Sequence, residues 1–197
     1  MAYSDESALS WFDTGRELME RGDWPAATQA FRQAVSIDPE FGEAFAGLGA
    51  ALGNQSLWSL AVEAHTRAAA LLPNDLDTVY NLGVAFGELS RTRDAEDCFR
   101  RVLAGRPRDA ETLLRLSAEL AEQGRWLEAE NEARSAIDAE PNGVFAASAW
   151  ASLAFVRARI EHTQEARSAL ERARDLQPSL VDDRADVAQL WKELEGV

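Results

Sequence analysis

His65, Cys98 and His162 are the side chains of this chain best suited to nucleophilic, acid–base or metal-ligand chemistry. They stand far apart in the sequence and form no recognisable motif together. A reactive thiol needs a partner base, and no histidine lies close to Cys98 in the sequence. The sequence therefore predicts that Cys98 is a half-buried small apolar residue, with a redox or catalytic role as the alternative. A single cysteine also excludes an intramolecular disulfide.

Other sequence motifs that carry chemistry are absent. There is no HExxH, CxxC or P-loop sequence, and no GxGxxG that follows a strand. Gly47, Gly49 and Gly53 fall inside a helical pattern, where we interpret them as close-packing and groove-floor positions. Glu128 and Glu130 are two residues apart on a helix, so their carboxylates point in different directions. We therefore predict a non-enzymatic protein with no cofactor, no catalytic residue and no metal site.

The elements that position these residues follow a strict period. Four prolines, Pro39, Pro73, Pro107 and Pro141, stand 34 residues apart. A fixed period of this length indicates one supersecondary unit that is copied along the chain, each copy burying its apolar face against its neighbours. The sequence therefore predicts a stack of short helices rather than a globule around one pocket.

Residues of the same kind recur at fixed distances from each proline. The columns of the first helix are Trp11, Phe45, Val79 and Leu113; Thr14, Leu48, Leu82 and Leu116; Gly15, Gly49, Gly83 and Ser117; and Leu18, Leu52, Phe86 and Leu120. The columns of the second helix are Trp24, Trp58 and Trp126; Ala27, Ala61, Ala95 and Ala129; Phe31, His65, Phe99 and Ala133; and Ala34, Ala68, Val102 and Ala136. Since His65 shares a column with Phe31 and Phe99, we predict a packed core imidazole, with a ligand role as the alternative. The tryptophans are interpreted as structural.

This column pattern resembles the tetratricopeptide repeat, a helix-turn-helix unit of 34 residues. The resemblance implies an all-α, right-handed α-solenoid of about five such repeats in a single domain. It places the repeats at 8–41, 42–75, 76–109, 110–143 and 144–180, after a short flexible N-terminus at 1–7. A capping helix is predicted at 181–197, because Val187, Leu190, Trp191 and Leu194 share one amphipathic face.

The fifth repeat departs from the period. Pro178 follows Pro141 by 37 residues, and the three added residues fall between 142 and 149. We expect Gly143 to end one helix and the next helix to begin about a turn early. Arg157 replaces the large apolar residue of its column, which indicates either a looser last interface or an arginine stem that reaches out to water.

In the family, the first helix of each repeat lines a concave face that holds the ligand. Carried over column by column, the predicted peptide-binding residues are Phe12, Arg16, Ala46, Ala50, Tyr80, Asn81, Val84, Leu114, Arg115 and Phe155. The residues in the middle of this surface are small and apolar, and those at its walls are large and apolar. This arrangement suits an extended peptide or an amphipathic helix. Ala46, Ala50 and Glu111 stand where the dicarboxylate clamp of the Hsp70 and Hsp90 co-chaperones needs lysine or asparagine, so we predict that this clamp is absent.

The charge of the chain restricts its partners. The formal net charge is -14, and nucleic acid or anionic lipid would be repelled by it. The sequence predicts neither partner, no membrane span and, from an N-terminus without an apolar leader, a cytoplasmic location. A basic or amphipathic protein segment would complement the acidic rim that Glu43, Asp77, Glu88 and Glu111 are expected to form on the concave face. Whether the acidity reflects solubility or adaptation to salt stays open.

Three functions are compatible with these observations. The first is a scaffold or adaptor that binds a peptide or helix of a partner protein in the concave groove. The second is a cytoplasmic chaperone for an unstable client, such as a secretion-system protein. The third is a scaffold that self-associates.

Overall fold

A computed structural model of the chain describes residues 7–180 and 184–195. Most of the predicted flexible N-terminus therefore lies outside the described residues, as do 181–183 and 196–197 of the predicted capping helix. Ser7, the last residue assigned to the N-terminal segment, caps the first helix, because its hydroxyl accepts a 3.2 Å hydrogen bond from the backbone N–H of Ser10.

The described residues form eleven helices and no strand, which confirms the predicted all-α fold class. The helices are α1 Ala8–Glu20, α2 Trp24–Ile37, α3 Gly42–Gly53, α4 Trp58–Leu71, α5 Leu76–Glu88, α6 Thr92–Gly105, α7 Ala110–Glu122, α8 Trp126–Ala139, α9 Ala146–Arg159, α10 Thr163–Leu176 and α11 Ala185–Glu195. They pair as the columns predict, with α1 on α2, α3 on α4, α7 on α8 and α9 on α10.

The contacts divide the chain into two compact units, Met1–Arg101 and Val102–Val197. In the first unit, α2 and α4 also pack against the following helices α3 and α5. In the second, α8 packs against α9, and α11 packs against α9 and α10. The single-domain organisation and the five repeat boundaries stay predictions.

The turn inside each repeat has one conformation that recurs along the chain. Ser56, Ser90 and Glu161 have φ of 58°, 56° and 64°, and Gly22 and Gly124 have φ of 75° and 73°. Each of these residues lies between the two helices of its repeat. Only glycine adopts a positive φ without steric cost, so three of the five turns hold a left-handed residue that carries a side chain.

The small-residue column of the first helix makes room for a ring on the second. A Cβ atom at Gly15 would lie 2.7 Å from Cε1 of Phe31, and one at Gly49 would lie 2.6 Å from Cε1 of His65. Gly47 also lies against the Phe31 ring, since a Cβ atom at Gly47 would lie 2.6 Å from Cε1 of Phe31. The close-packing interpretation of Gly47 and Gly49 is therefore confirmed.

The predicted course of the chain into the fifth repeat was wrong in detail. Helix α8 ends at Ala139 and Gly143 lies in the turn that follows it, so Gly143 does not end a helix. Helix α9 begins at Ala146, five residues after Pro141, whereas α3 begins three residues after Pro39. Two of the three added residues thus lengthen the turn. Backbone hydrogen bonds from Gly143 N to Glu140 O and from Ala146 N to Gly143 O satisfy polar groups of this longer turn.

Arg157 is neither loosely packed nor turned out to water. Its Nε donates to Oε1 of Glu130 at 3.0 Å, and the two side chains are only 15% and 11% exposed. The same carboxylate oxygen pairs with Nη2 of Arg134 at 2.9 Å. The place of the missing apolar contact is therefore taken by a largely buried ionic group that joins α8 to α9.

Candidate functional site

The second unit contains an open cavity of about 610 Å³ between α7, α9 and α11, which we call the α9 cavity. Small residues cover much of its lining: Ala118, Ala121, Ser148, Ala151 and Ser152. Larger apolar side chains from all three helices complete it: Leu114, Phe145, Phe155, Val187 and Leu190. Helix α7 also contributes Glu111, Arg115 and Glu122, and the chain at the start of α11 contributes Arg184 and Asp186. This combination of depth and apolar walls suits insertion of apolar side chains from a partner.

Phe155 is a wall of the α9 cavity that its neighbours hold in place. The Trp126 ring lies 6.5 Å from the Phe155 ring, centroid to centroid, at an interplanar angle of 59°. The guanidinium of Arg159 lies 5.0 Å from the Phe155 ring centroid on its own helix. These contacts restrict the rotamer of Phe155. Its side chain therefore loses less conformational entropy when an apolar group of a ligand packs against it.

Sequence reasoning missed the part that α11 plays in this cavity. A capping helix is expected to keep its polar residues on the outer surface, yet Arg184 and Asp186 both line the α9 cavity. The signal was present, because Val187, Leu190, Trp191 and Leu194 repeat the spacing of 3, 1 and 3 found in every first helix. Since first helices are expected to line the concave face, that spacing predicts a lining helix as well as a closing one.

Helix α11 is anchored by polar and apolar contacts to α10. The guanidinium of Arg174 lies 5.0 Å from the Trp191 ring centroid, and Arg167 donates a hydrogen bond to the carbonyl of Leu194. Val187, Leu190 and Leu194 are buried. A cation near the C-terminal carbonyls of a helix is favourable on electrostatic grounds as well.

Arg184 and Asp186 form a bidentate ion pair at one edge of the α9 cavity. Arg184 Nε donates to Asp186 Oδ1 at 3.2 Å, and Nη2 donates to Oδ2 at 2.5 Å. The hydrogen bond from Arg184 lowers the pKa of Asp186, more than partial burial raises it. Each charge of this pair is therefore compensated inside the protein.

A smaller cavity of about 200 Å³ lies in the first unit between α3, α4 and α5. Three of the predicted binding residues, Ala50, Asn81 and Val84, line it together with Asn54. The rest of its lining is Gly49, Gly53, Trp58, Ala61, His65 and Ala85. The asparagine side chains give this apolar cavity hydrogen-bonding groups at its surface.

His65 is a buried core imidazole, as its column predicts. It is 2% exposed, and burial lowers its pKa to about 4 against a smaller raising effect of Asp75. Its Nδ1 has no hydrogen-bond partner among the described residues. Burial likewise raises the pKa of the half-buried Cys98 thiol to about 11, so this thiol is protonated at neutral pH.

The structure divides the ten predicted binding residues into three groups. Leu114, Arg115 and Phe155 line the α9 cavity, and Ala50, Asn81 and Val84 line the smaller cavity. The other four, Phe12, Arg16, Ala46 and Tyr80, line neither of these two cavities. Two of those four are ring residues engaged in packing: the Phe12 ring lies 4.9 Å from that of Phe41, and the Tyr80 ring lies 5.8 Å from that of Phe99.

Within residues 7–180 and 184–195, no group of three or more His, Cys, Asp or Glu side chains is placed to hold a metal ion. In the same ranges, every helix is too short or too polar to cross a membrane.

Solved structures of low sequence identity share this fold. Residues 41 to the end of MamA from Desulfovibrio magneticus RS-1 superpose with a TM-score of 0.82 at 19% identity, over 90% of this chain and 98% of that one. YrrB, described as a TPR protein with an unusual peptide-binding site, superposes with a TM-score of 0.81 at 19% identity, over 98% of this chain and 94% of that one. No curated protein sequence matches the chain.

Models of the tetratricopeptide repeat match two stretches of the sequence. One, a TPR repeat model, covers residues 15–56, and the other, a tetratricopeptide repeat model, covers residues 80–144. Together they span more than half of the chain, and the second covers most of α5 and all of α6, α7 and α8. The chain therefore belongs to the tetratricopeptide repeat family.

Proposed function

We propose that this protein is a non-enzymatic scaffold or adaptor that binds a peptide or helical segment of a partner protein on its first-helix surface. Family membership supports the coarser statement, since these repeats are typically protein-interaction modules. The observation that carries the finer one is the α9 cavity, an opening of about 610 Å³ with apolar walls from three helices. Exposed apolar concavity of this size on a protein surface is typical of a binding site.

The shape of the α9 cavity supports a ligand with protruding apolar side chains. Alanine and serine residues give it depth, while Leu114 and Phe155 offer contacts to aliphatic or aromatic groups. The fold shared with YrrB, whose description includes a peptide-binding site, agrees with a peptide ligand. The smaller cavity, with Ala50, Asn81 and Val84, would be a second contact point in the first unit.

The chemistry of the partner is part of the proposal. The net charge of -14 favours a basic or amphipathic protein segment and disfavours nucleic acid and anionic membranes. The cytoplasmic location and the roles of Phe12, Arg16, Ala46 and Tyr80 stay predictions.

A comparative pull-down from source lysate, read by mass spectrometry, tests the proposal. The variants Leu114→Asp and Phe155→Asp place a charge on the walls of the α9 cavity. The matched control is Val144→Asp, which adds the same charge at a side chain that is 87% exposed and does not line that cavity. We expect a partner that wild type and Val144→Asp retain and that both wall variants lose, with all four proteins equally helical by circular dichroism. Retention of every partner by the wall variants would contradict the proposal.

Two alternatives remain as predictions. A chaperone would co-purify with one unstable apolar client rather than with a folded partner. A self-associating scaffold would show a mass above that of the monomer by light scattering at high concentration, so a monomeric mass there would reject it.

A further inference from the structure

Two charged residues of α7 line the α9 cavity without a partner of their own. Arg115 and Glu122 are exposed, and neither forms an ion pair with any residue in the described part of the chain. They are seven residues apart on one helix, which places them two turns or about 10 Å apart on the same face. The unpaired charges of this stretch of the cavity are therefore positive at one end and negative at the other.

The other charges around the cavity are already engaged. Asp186 is compensated by Arg184 through two hydrogen bonds, and Glu111 already takes part in another interaction. Arg115 and Glu122 are thus the charges that an incoming ligand would meet without first breaking a pair. A ligand that shields them from water without offering the opposite charge would bind less well than one that offers it.

From this arrangement, and resting on the proposed function, we infer that the α9 cavity takes an amphipathic helix that carries one acidic and one basic side chain about two turns apart. The acid faces Arg115, the base faces Glu122, and apolar side chains between them enter the cavity. A helix lying along α7 has the same rise per residue, so its two charges are seven residues apart. In an extended segment, the same distance would be covered by about three residues.

This ligand differs from the one that the net charge predicts. A chain with a charge of -14 attracts basic segments at long range. At contact distance, however, the α9 cavity offers one charge of each sign, and a segment with two bases would place one of them against Arg115. The local and the global charge therefore select different peptides, which makes the inference testable.

A displayed library of helical peptides can distinguish these ligands. Its core positions vary among Leu, Phe, Val and Ala, and positions i, i+3 and i+7 vary among Asp, Lys and Ser. Selection uses the full chain as wild type, Arg115→Glu, Glu122→Arg and Phe155→Asp. We expect wild type to enrich peptides with one acid and one base at i and i+7, by about threefold for each matched charge.

The charge variants supply the decisive comparison. Arg115→Glu should shift the selection to two bases and Glu122→Arg should shift it to two acids. Selection of two bases by wild type, of charges three residues apart, or of no charge pattern at all would overturn the inference while leaving peptide binding intact. If Phe155→Asp enriches the same peptides as wild type, the α9 cavity is not the binding surface and the proposed function fails there.

Discussion

At the scale of single residues, His65 shows that one packing position of the repeat accepts either a phenyl ring or an imidazole ring. Its ring occupies the place of Phe31 and Phe99, against a glycine that makes room for it in each case. Because the imidazole is buried, the neutral form is favoured and its pKa falls to about 4. The site thus favours an uncharged ring, and Nδ1 of the imidazole has no hydrogen-bond partner in the part of the chain that the structure describes.

His65→Phe should remove a pH dependence from folding. The unfolded chain binds a proton at His65 near pH 6.5 and the folded chain only near pH 4. Between these values the unfolded state holds more protons, so stability falls as the pH is lowered, by at most about 3 kcal/mol from this residue. We expect the variant to lose less stability than wild type from pH 7 to pH 4, with equal or greater stability at pH 7.

Urea unfolding at several pH values measures this effect, with His162→Phe as the control at an exposed histidine. Parallel stability curves for wild type and His65→Phe across this range would show that His65 binds its proton equally well in the folded and the unfolded chain, contrary to its burial.

The residue types of the columns sufficed to predict this burial, but not every polar contact. Ser117, which replaces glycine in the small-residue column, is fully buried and donates a 2.8 Å hydrogen bond to the carbonyl of Ala129. Size explains why a serine fits there. Its bond partner depends on the three-dimensional approach of α7 and α8, which no single column encodes.

At the scale of helices, the contact of α8 with α9 uses charged residues at positions that are apolar in an earlier repeat. Glu130 lies between Arg134 of its own helix and Arg157 of the next one. The corresponding positions two repeats earlier are Val62 and Phe86. Two apolar residue types are therefore replaced here by an ionic pair, and the buried Glu130 carboxylate is fully compensated only while both arginines remain.

Breaking this ionic contact from one side should be costly. We expect Arg157→Phe to lower the free energy of unfolding by about 2 kcal/mol, because Glu130 then keeps only the more exposed Arg134. The double variant Glu130→Val/Arg157→Phe copies the earlier pair and should recover most of that loss.

Urea unfolding of wild type, both single variants and the double variant gives the coupling energy. Additive losses in the double variant would mean that the two side chains do not act together, and the account of this interface would then be wrong.

The helices also show where sequence reasoning stops. The period of 34 predicts the helix pairs, because each column is a packing requirement that repeats. It cannot place three extra residues, since turn lengthening and helix lengthening leave the same columns intact. For α11, the spacing predicts a helix with one apolar face, but it does not predict that Arg184 and Asp186 line a cavity. A polar side chain at the rim of a cavity and one on an outer surface have the same sequence pattern.

At the scale of the whole molecule, net charge is the property that composition predicts most directly. With acids outnumbering bases 34 to 20, the folded chain concentrates negative charge that the unfolded chain spreads out. Exposed pairs such as Arg91 with Asp94 offset this repulsion only slightly, since pairs of that kind contribute about 0 to 1 kcal/mol.

Salt should therefore stabilise the protein. We expect the Tm to rise by a few degrees between about 0.02 M and about 0.5 M NaCl, because the Debye length shrinks to a few ångströms and self-repulsion is screened. Differential scanning calorimetry at fixed pH measures the shift. A Tm that falls with added NaCl would mean that surface ion pairs outweigh the repulsion.

Helix α11 has one further consequence for how binding would be observed. It lines the α9 cavity with Val187 and Leu190 while its own attachment depends on contacts with α9 and α10. A ligand should therefore bind more tightly when α11 is docked. By thermodynamic linkage, a bound ligand must then increase the population of the docked state. Amide hydrogen exchange in α11 should therefore report how much of the cavity is occupied. As more ligand binds, α11 opens less often and its amide hydrogens exchange more slowly.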